Sequence, residues 1–188
     1  KEIYDTNHRM IVLVNALLSV SRLELGTLGI QPQLSDIVDV AHRAIAEHQE
    51  EMTRKSLKVN ISIAEPLPLV MIDPQLMLVV LQNLISNAVK YTPEKGTRSV
   101  TVTTQPGVLV CKVSDTGCGI PRDQQHRIFS KFFRADNVRE LDTGGTGLGL
   151  YITKALVKEM HGTIWFESEA GKGTTFYISL PLSGIQER

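Results

Sequence analysis

From residue 57 onward, the hydrophobic period of this chain switches repeatedly between two and about 3.6 residues. Leu57, Val59, Ile61 and Ile63 alternate with Lys58, Asn60 and Ser62, the pattern of a half-buried strand. A short apolar strand follows over residues 69–72. Asp73-Pro74 then supplies an N-cap and a proline at the first helical position, so a helix is expected to about residue 90, stopping before Pro93. Strands are expected over 99–104 and 108–114, joined through Pro106-Gly107, and a short helix after Pro121. A helix over 146–160 ends at Gly162, and a last hairpin, 162–168 with 174–180, turns at Gly171-Lys172-Gly173. Residues 36–54 read as one helix with Ile37, Val40, Ala41, Ala44 and Ile45 on its apolar side. Strict strand–helix–strand alternation is missing. The expected fold class is therefore α+β, a two-layer α/β sandwich, rather than a doubly wound parallel sheet.

The N-terminal part obeys a different pattern. Residues 1–28 read as one amphipathic helix with two apolar stripes. Ile11, Val14, Leu18, Leu25 and Leu28 form one, and Met10, Leu13, Leu17 and Val20 the other. A lone helix cannot hide so wide a face. It needs partner helices, most simply from a second copy of the chain, or else it packs on its own domain. Gly26, Gly29 and Pro32 break the pattern, which places a boundary between residues 1–30 and residues 31–188.

Composition narrows the function classes. Hydrophobic residues make up 42% and charged residues 21%, as in a globular chain, and the 20 basic residues balance the 20 acidic ones. A zero net charge argues against a broad electrostatic grip on nucleic acid or an anionic membrane. Cys111 and Cys118 cannot build a disulfide framework and stand in no metal-type spacing, so a reducing, cytoplasmic setting is expected. The apolar run over residues 10–20 is too short to span a bilayer. The chain opens on Lys1 rather than Met and reads as a fragment, so any membrane attachment is expected through segments absent from it.

Four features carry chemistry. On the helix after Pro74, Met77, Leu81, Leu84, Ile85 and Ala88 share a core-facing arc, while Asn83, Asn87 and Lys90 fall on the opposite side. An Asn carbonyl can ligate Mg²⁺ and a Lys can meet phosphate, although a polar outer face is also the ordinary condition of an amphipathic helix. Asp115-Thr116-Gly117-Cys118-Gly119-Ile120 follows an apolar strand directly: an acid beside bare backbone suits a ligand's donor, and equally an Asp-Gly turn. Gly144-Gly145-Thr146-Gly147-Leu148-Gly149-Leu150 opens a helix, where free N–H groups suit phosphate. It is neither a Walker loop nor a Rossmann fingerprint. Gly171-Lys172-Gly173-Thr174-Thr175-Phe176 is by itself only a hairpin turn.

In this order, and with Ile128-Phe129-Ser130-Lys131-Phe132-Phe133-Arg134 between the second and third, these motifs resemble the ATP-binding domain of two-component sensor histidine kinases over residues 34–181. Residues 83–91 look like that family's asparagine box. Residues 115–120, 144–150 and 171–176 look like its glycine boxes, and 128–134 like its phenylalanine box. The resemblance implies a Bergerat-type fold, a mixed and mostly antiparallel sheet covered by helices. The helix over 1–28, with Arg22-Leu23-Glu24 before Gly26, is similar to the second helix of the family's dimerisation and phosphotransfer hairpin. The first helix, which normally bears the phospho-accepting His, is not found. None of His8, His42, His48, His126 and His161 is followed by the acceptor motif.

The resemblance further implies ATP and Mg²⁺ as ligands. Asn87 would ligate the metal with Asn83 in support. Lys90 would approach the phosphates, and Tyr91 would border the base. Asp115 would accept from the adenine amino group, helped by Gly117, Gly119, Ile120 and Thr175. Gly145, Thr146, Gly147, Leu148, Gly149 and Leu150 would wrap the triphosphate. Lys131 and Arg134 would meet the γ-phosphate, while Phe132 and Phe133 anchor a lid over residues 135–145, which reads as polar and nearly structureless. Related ATPases place a Glu where Asn83 stands, so hydrolysis should be poor and the phosphoryl kept for a protein acceptor. Implied partners are a second copy of the chain, paired through the N-terminal helix, and the receiver domain of a response regulator. Anchoring of the full protein in the inner membrane is compatible with this reading. A nucleotide-binding pseudokinase and an anti-sigma-type serine kinase share parts of the pattern.

Overall fold

The computed structural model describes residues 10, 14, 17–18, 20–22, 24–27, 29–64, 66–139 and 145–184. In chain order the elements are β1 (Gln33–Ser35), α1 (Ile37–Ala46), α2 (Gln49–Arg54), β2 (Lys58–Ile63), β3 (Val70–Ile72), α3 (Pro74–Tyr91), β4 (Thr97–Gln105), β5 (Val108–Asp115), a 3₁₀ turn (Arg122–Arg127), α4 (Asp136–Arg139), α5 (Gly149–Glu159), β6 (Thr163–Glu169) and β7 (Gly173–Pro181). The main sheet has the order β2-β4-β5-β7-β6. The β2–β4 pair is parallel and the other pairs are antiparallel. Strands β1 and β3 form a small separate antiparallel pair. One face of the sheet packs on α3 and α5, with α1 packed on α3, so the α+β two-layer sandwich expected from the alternating periods is the fold.

Helix α3 is the spine of the helical layer. Asp73 caps it as expected, its Oδ1 accepting from Gln75 N and Leu76 N at 3.0 Å each, and Pro74 takes the first turn. Its inner arc of Met77, Leu81, Leu84, Ile85 and Ala88 is buried. The C-terminal end is held by a residue that nothing in the pattern singles out: Lys55 Nζ donates to the carbonyls of Val89 at 2.7 Å, Lys90 at 3.0 Å and Thr92 at 3.2 Å. A cation there satisfies carbonyls the helix leaves unpaired and complements its dipole.

Three expectations change. The single helix over 36–54 is two, α1 and α2, broken at Glu47 and His48, where His48 N returns to Ile45 O at 3.1 Å. Strand β2 lies at the sheet edge, so Ile61 is exposed rather than half-buried. Residues 136–139 of the supposedly structureless segment form a helical turn, with Ala135 and Val138 buried. Those two apolar side chains find a wall to pack on, which a reading of polarity alone missed. Residues 140–144 lie outside the described residues. Of the N-terminal stretch, the described residues 10, 14, 17–18, 20–22 and 24 are helical. Val20 joins the buried core, whereas Met10, Val14, Leu17, Leu18 and Leu25 are exposed. Ile11, Leu13, Leu28 and His8 lie outside the described residues.

Candidate functional site

A cavity of about 250 Å³ opens between α3, the end of β5, the segment over 128–138 and the start of α5. Asn83, Asn87, Lys90 and Tyr91 line it from α3, Asp115, Gly119 and Ile120 from the second motif, and Gly145, Thr146, Gly147, Gly149 and Leu150 from the third. Three stretches remote in sequence thus meet on one wall-to-wall space. Arg134 and Phe133 close a further side.

Asp115 sits at the C-terminal end of β5 on the inward face. Its Oδ1 accepts from Gly117 N at 2.8 Å and Thr174 N at 3.3 Å. Burial pushes its carboxyl up to about 6 from an ordinary 3.8, against the pull of those two N–H groups and of Arg98. Close approach of backbone makes the local glycines necessary. A Cβ on Gly117 would lie 2.5 Å from Tyr91 O, and one on Gly119, at φ +62°, would lie 2.0 Å from Glu169 O. Cys118 N donates to Tyr91 O at 3.2 Å, tying the motif to the end of α3.

Further braces come from residues the motifs do not include. Ser168 Oγ accepts from Ile120 N at 2.9 Å and donates to Gly173 O at 3.0 Å. Asn137 Nδ2 donates to Gly119 O at 2.9 Å. Ser86, Cys118, Ile128 and Val138 line the cavity as well. Ser86, Cys118 and Ile128 lie within motifs but carry no signal of their own, and Val138 lies outside every motif.

Opposite the carboxylate, α5 begins after Leu148, which is fully buried and supplies no side-chain cap. Its first N–H groups therefore stand uncapped beside Gly145, Gly147 and Gly149, a geometry suited to an anion. A Cβ on Gly147, at φ +69°, would lie 2.7 Å from Phe132 C, so this turn presses on the phenylalanine-rich segment. Arg134 donates to Gly145 O at 3.1 Å and Val138 O at 3.2 Å, linking these two positions.

Five sequence-chosen residues do not line the cavity, and one of them, Gly117, acts instead through its N–H to Asp115. Thr175 is off the cavity. Side chains alternate along β7, and its hydroxyl pairs with Ser114 on the outer face, so Thr174 is the threonine on the cavity wall. Phe132 is 59% exposed at φ +60°, and the anchoring rings are Phe133 and Phe129, the latter packed edge-on against Phe166 and Phe176. Lys131 forms an ion pair with Glu24 and lies 5.1 Å over the Tyr151 ring. Leu148 is core rather than lining.

The donor set fits a hard cation held jointly with phosphate. Asn83 and Asn87 offer carbonyl oxygens, and among the described residues no group of three or more His, Cys, Asp or Glu could hold a metal without other ligands.

A sandwich of this topology, with an inward carboxylate at a strand end facing an Asn-bearing helix and a glycine-opened helix, is an ATP-binding catalytic domain. The chain belongs to the histidine kinase-, DNA gyrase B- and HSP90-like ATPases, whose family model matches residues 72–184, and within them to the catalytic ATP-binding domains of sensor histidine kinases. It is 38% identical over 189 residues to the sensor histidine kinase WalK of Bacillus subtilis (strain 168), covering 97% of this chain and 30% of that protein. It is 33% identical over 183 residues to the circadian input-output histidine kinase CikA of Synechococcus elongatus, covering 96% of this chain and 24% of that one. Among solved structures, full-length ShkA in complex with AMPPNP superposes with a TM-score of 0.83 at 27% identity, over 97% of this chain and 38% of ShkA. The histidine kinase AdeS of Acinetobacter baumannii shares the fold, with a TM-score of 0.80 at 22% identity over 97% of this chain and 83% of that one. The chain thus spans about a quarter to a third of the curated relatives named here. Among the described residues no helix is long and apolar enough to cross a membrane.

Proposed function

We propose that this domain binds Mg-ATP and transfers the γ-phosphoryl to a histidine on a dimerisation helix, within a two-component signalling protein. The observation that carries the reading is the opposition, across one cavity, of a half-buried carboxylate acceptor at Asp115 and an uncapped helix start at Gly149. The first suits the exocyclic amino group of adenine, and the second suits polyphosphate. Oδ1 of Asp115 takes the two backbone N–H groups, which leaves Oδ2 for the base. Tyr91 and Ile120 flank the base, Lys90 offsets phosphate charge, and Thr174 takes the place at the adenine end that the motif order suggested for Thr175. Asn87, supported by Asn83, would hold Mg²⁺, which would supply charge to offset that of the phosphates.

In the transfer, an imidazole nitrogen of the acceptor attacks the γ-phosphorus, the bond to the β–γ bridging oxygen breaks, and ADP leaves. The chain's own contribution is to orient the triphosphate and to supply positive charge from Arg134 and, once released from Glu24, from Lys131. No carboxylate base stands at position 83, so water is not activated and the phosphoryl is kept for the histidine. The exposed Met10, Val14, Leu17, Leu18 and Leu25 would be covered by a second copy, and a receiver domain would take the phosphoryl onward.

The test supplies an acceptor hairpin in trans or by fusion and follows transfer of the γ-phosphoryl alongside ATP binding. Transfer to histidine supports the reading. Binding without transfer to any supplied hairpin would make the domain a nucleotide-sensing pseudokinase instead, and absence of ATP binding would remove both.

A further inference from the structure

The half-buried Asp115 is not the only ionisable group at this end of the sheet. Arg98 lies directly across from it in the β4–β5 register, on the same inward face, and is only 4% exposed. A guanidinium keeps its charge in folded proteins and is tolerated inside only with partners. Nε and Nη2 of Arg98 nevertheless have no hydrogen-bond partner among the described residues, and neither has the buried Nε2 of His48. Arg98 also forms no direct ion pair among the described residues.

Charge ties these groups together without direct contact. Burial lowers the Arg98 pKa, opposed first by Asp115 and then by Glu51. Burial likewise lowers His48, opposed by Glu47 and Glu51, while Arg98 pushes in the same direction as burial. The result is a set of buried polar groups without direct partners among the described residues. On one side are unpaired N–H donors, and on the other is a carboxylate whose described hydrogen bonds all fall on Oδ1. Donors and an acceptor that face each other beyond contact distance are what a bridging water satisfies.

We propose that Arg98 is a positioning residue for adenine recognition, orienting the Asp115 carboxylate through an enclosed water and keeping it in its acceptor form. The proposal rests on the ATP reading of the cavity and adds a residue that lies outside every nucleotide motif of the chain and does not line the cavity.

Its consequence is a pH profile. The groups around Asp115 are Arg98 on β4, Cys118 on the following loop, Lys90 and Tyr91 at the end of α3, and Arg134 across the cavity. Glu51 and His48 of the α2 region stand behind Arg98. Arg98 bears on the Asp115 carboxyl, lowering it against burial alongside the Gly117 and Thr174 N–H groups, whose share is larger. Without that charge the carboxyl protonates at higher pH, and a protonated carboxyl loses an acceptor site needed for the adenine amino group.

The experiment measures affinity for ATP, and for a purine riboside triphosphate lacking the 6-amino group, across pH 5 to 8 (about the span in which such a carboxyl titrates). It compares the unaltered domain with Arg98→Gln and Arg98→Lys. The expected result is an ATP affinity midpoint at higher pH in Arg98→Gln, with affinity lost below it. Arg98→Lys should restore the midpoint, and affinity for the amino-less analogue should be the same in all three. Equal midpoints, or equal weakening of both nucleotides, would overturn the proposal. Failure of the unaltered domain to bind ATP would overturn the ATP reading instead. Should Arg98→Gln not fold, a crystal structure of the unaltered domain decides: a water bonded to both Arg98 and Asp115 upholds the proposal, and a gap without one ends it.

Discussion

Thr174 lies directly opposite Asp115 across β5 and β7, and its backbone N–H donates to Asp115 Oδ1 at 3.3 Å. The final hairpin therefore completes the carboxylate's environment, and the same register turns Thr175 to the outer face beside Ser114. Asp115→Ala should weaken ATP binding by about 1.5–3 kcal/mol, the range for a hydrogen bond to a charged group. Thr174→Val should also weaken it, whereas Thr175→Val should leave affinity unchanged and lower stability by about 1 kcal/mol. Isothermal calorimetry and urea unfolding on the three variants separate these outcomes.

Asp115 should also cost the empty domain stability. Its folded carboxyl titrates at about 6 against an ordinary 3.8, chiefly because burial disfavours the charge. The folded state therefore holds the proton more tightly than the unfolded chain, and stability drains away as pH rises through that window. Asp115→Asn should match the unaltered protein near pH 4 and exceed it increasingly up to about pH 6, with a plateau beyond of order 2–3 kcal/mol. Unfolding midpoints at several pH values check this; an advantage that shrinks as pH rises would contradict it.

Two glycines offer a matched pair. Gly119→Ala places a Cβ 2.0 Å from Glu169 O, with φ at +62°, while Gly107→Ala meets nothing within 4 Å at φ +79°. The second should cost only the left-handed strain of about 1–2 kcal/mol. The first should cost clearly more and abolish nucleotide binding, because the backbone beside Asp115 has to move. Equal unfolding midpoints for the two variants would show that the loop yields freely.

Glu24 holds Lys131 away from the cavity, and Tyr151 OH donates to the same carboxylate oxygen at 3.3 Å. Hydrogen bonding and charge from Glu24 raise the Lys131 pKa, and the reciprocal contact lowers that of Glu24. Glu24→Gln should release the lysine for a triphosphate, raising the ratio of ATP to ADP affinity. Lys131→Met should remove that gain in the double variant. Both effects should fade at high salt, since the pair is exposed.

Arg134 donates to the carbonyls of both Val138 and Gly145, so these two positions are held before any nucleotide arrives. A bound triphosphate would add an anchor for Arg134 and the amides near Gly147. Hydrogen exchange at Asn137, Val138, Arg139 and Gly145 should slow more with a non-hydrolysable ATP analogue than with ADP. Equal protection in all states would make this an ordinary surface loop.

Much of the site is legible in residue order. The 3.6-residue arc of α3 puts Met77 and Leu81 inward, which obliges Asn83 and Asn87 to share the other side, and they do line the cavity. Asp115 and Gly119 announce themselves because a strand ends in an acid followed by bare backbone. Thr174 against Thr175 could not be settled that way. Two adjacent threonines carry identical local signals, and only pairing with β5 decides which one faces inward. Phe132 against Phe133 is the same problem in a loop, where no period applies.

Local chemistry therefore determined most of the elements, the α3 cap at Asp73 and the glycine turns, because each depends on residues within one turn or one strand of each other. Tertiary structure decided the rest. Lys55 closes the end of α3, Ser168 and Asn137 brace the second motif, and Arg98 is buried behind Asp115. These contacts join positions far apart in the chain, and their side chains acquire a role only from the low-dielectric, desolvated surroundings that folding creates.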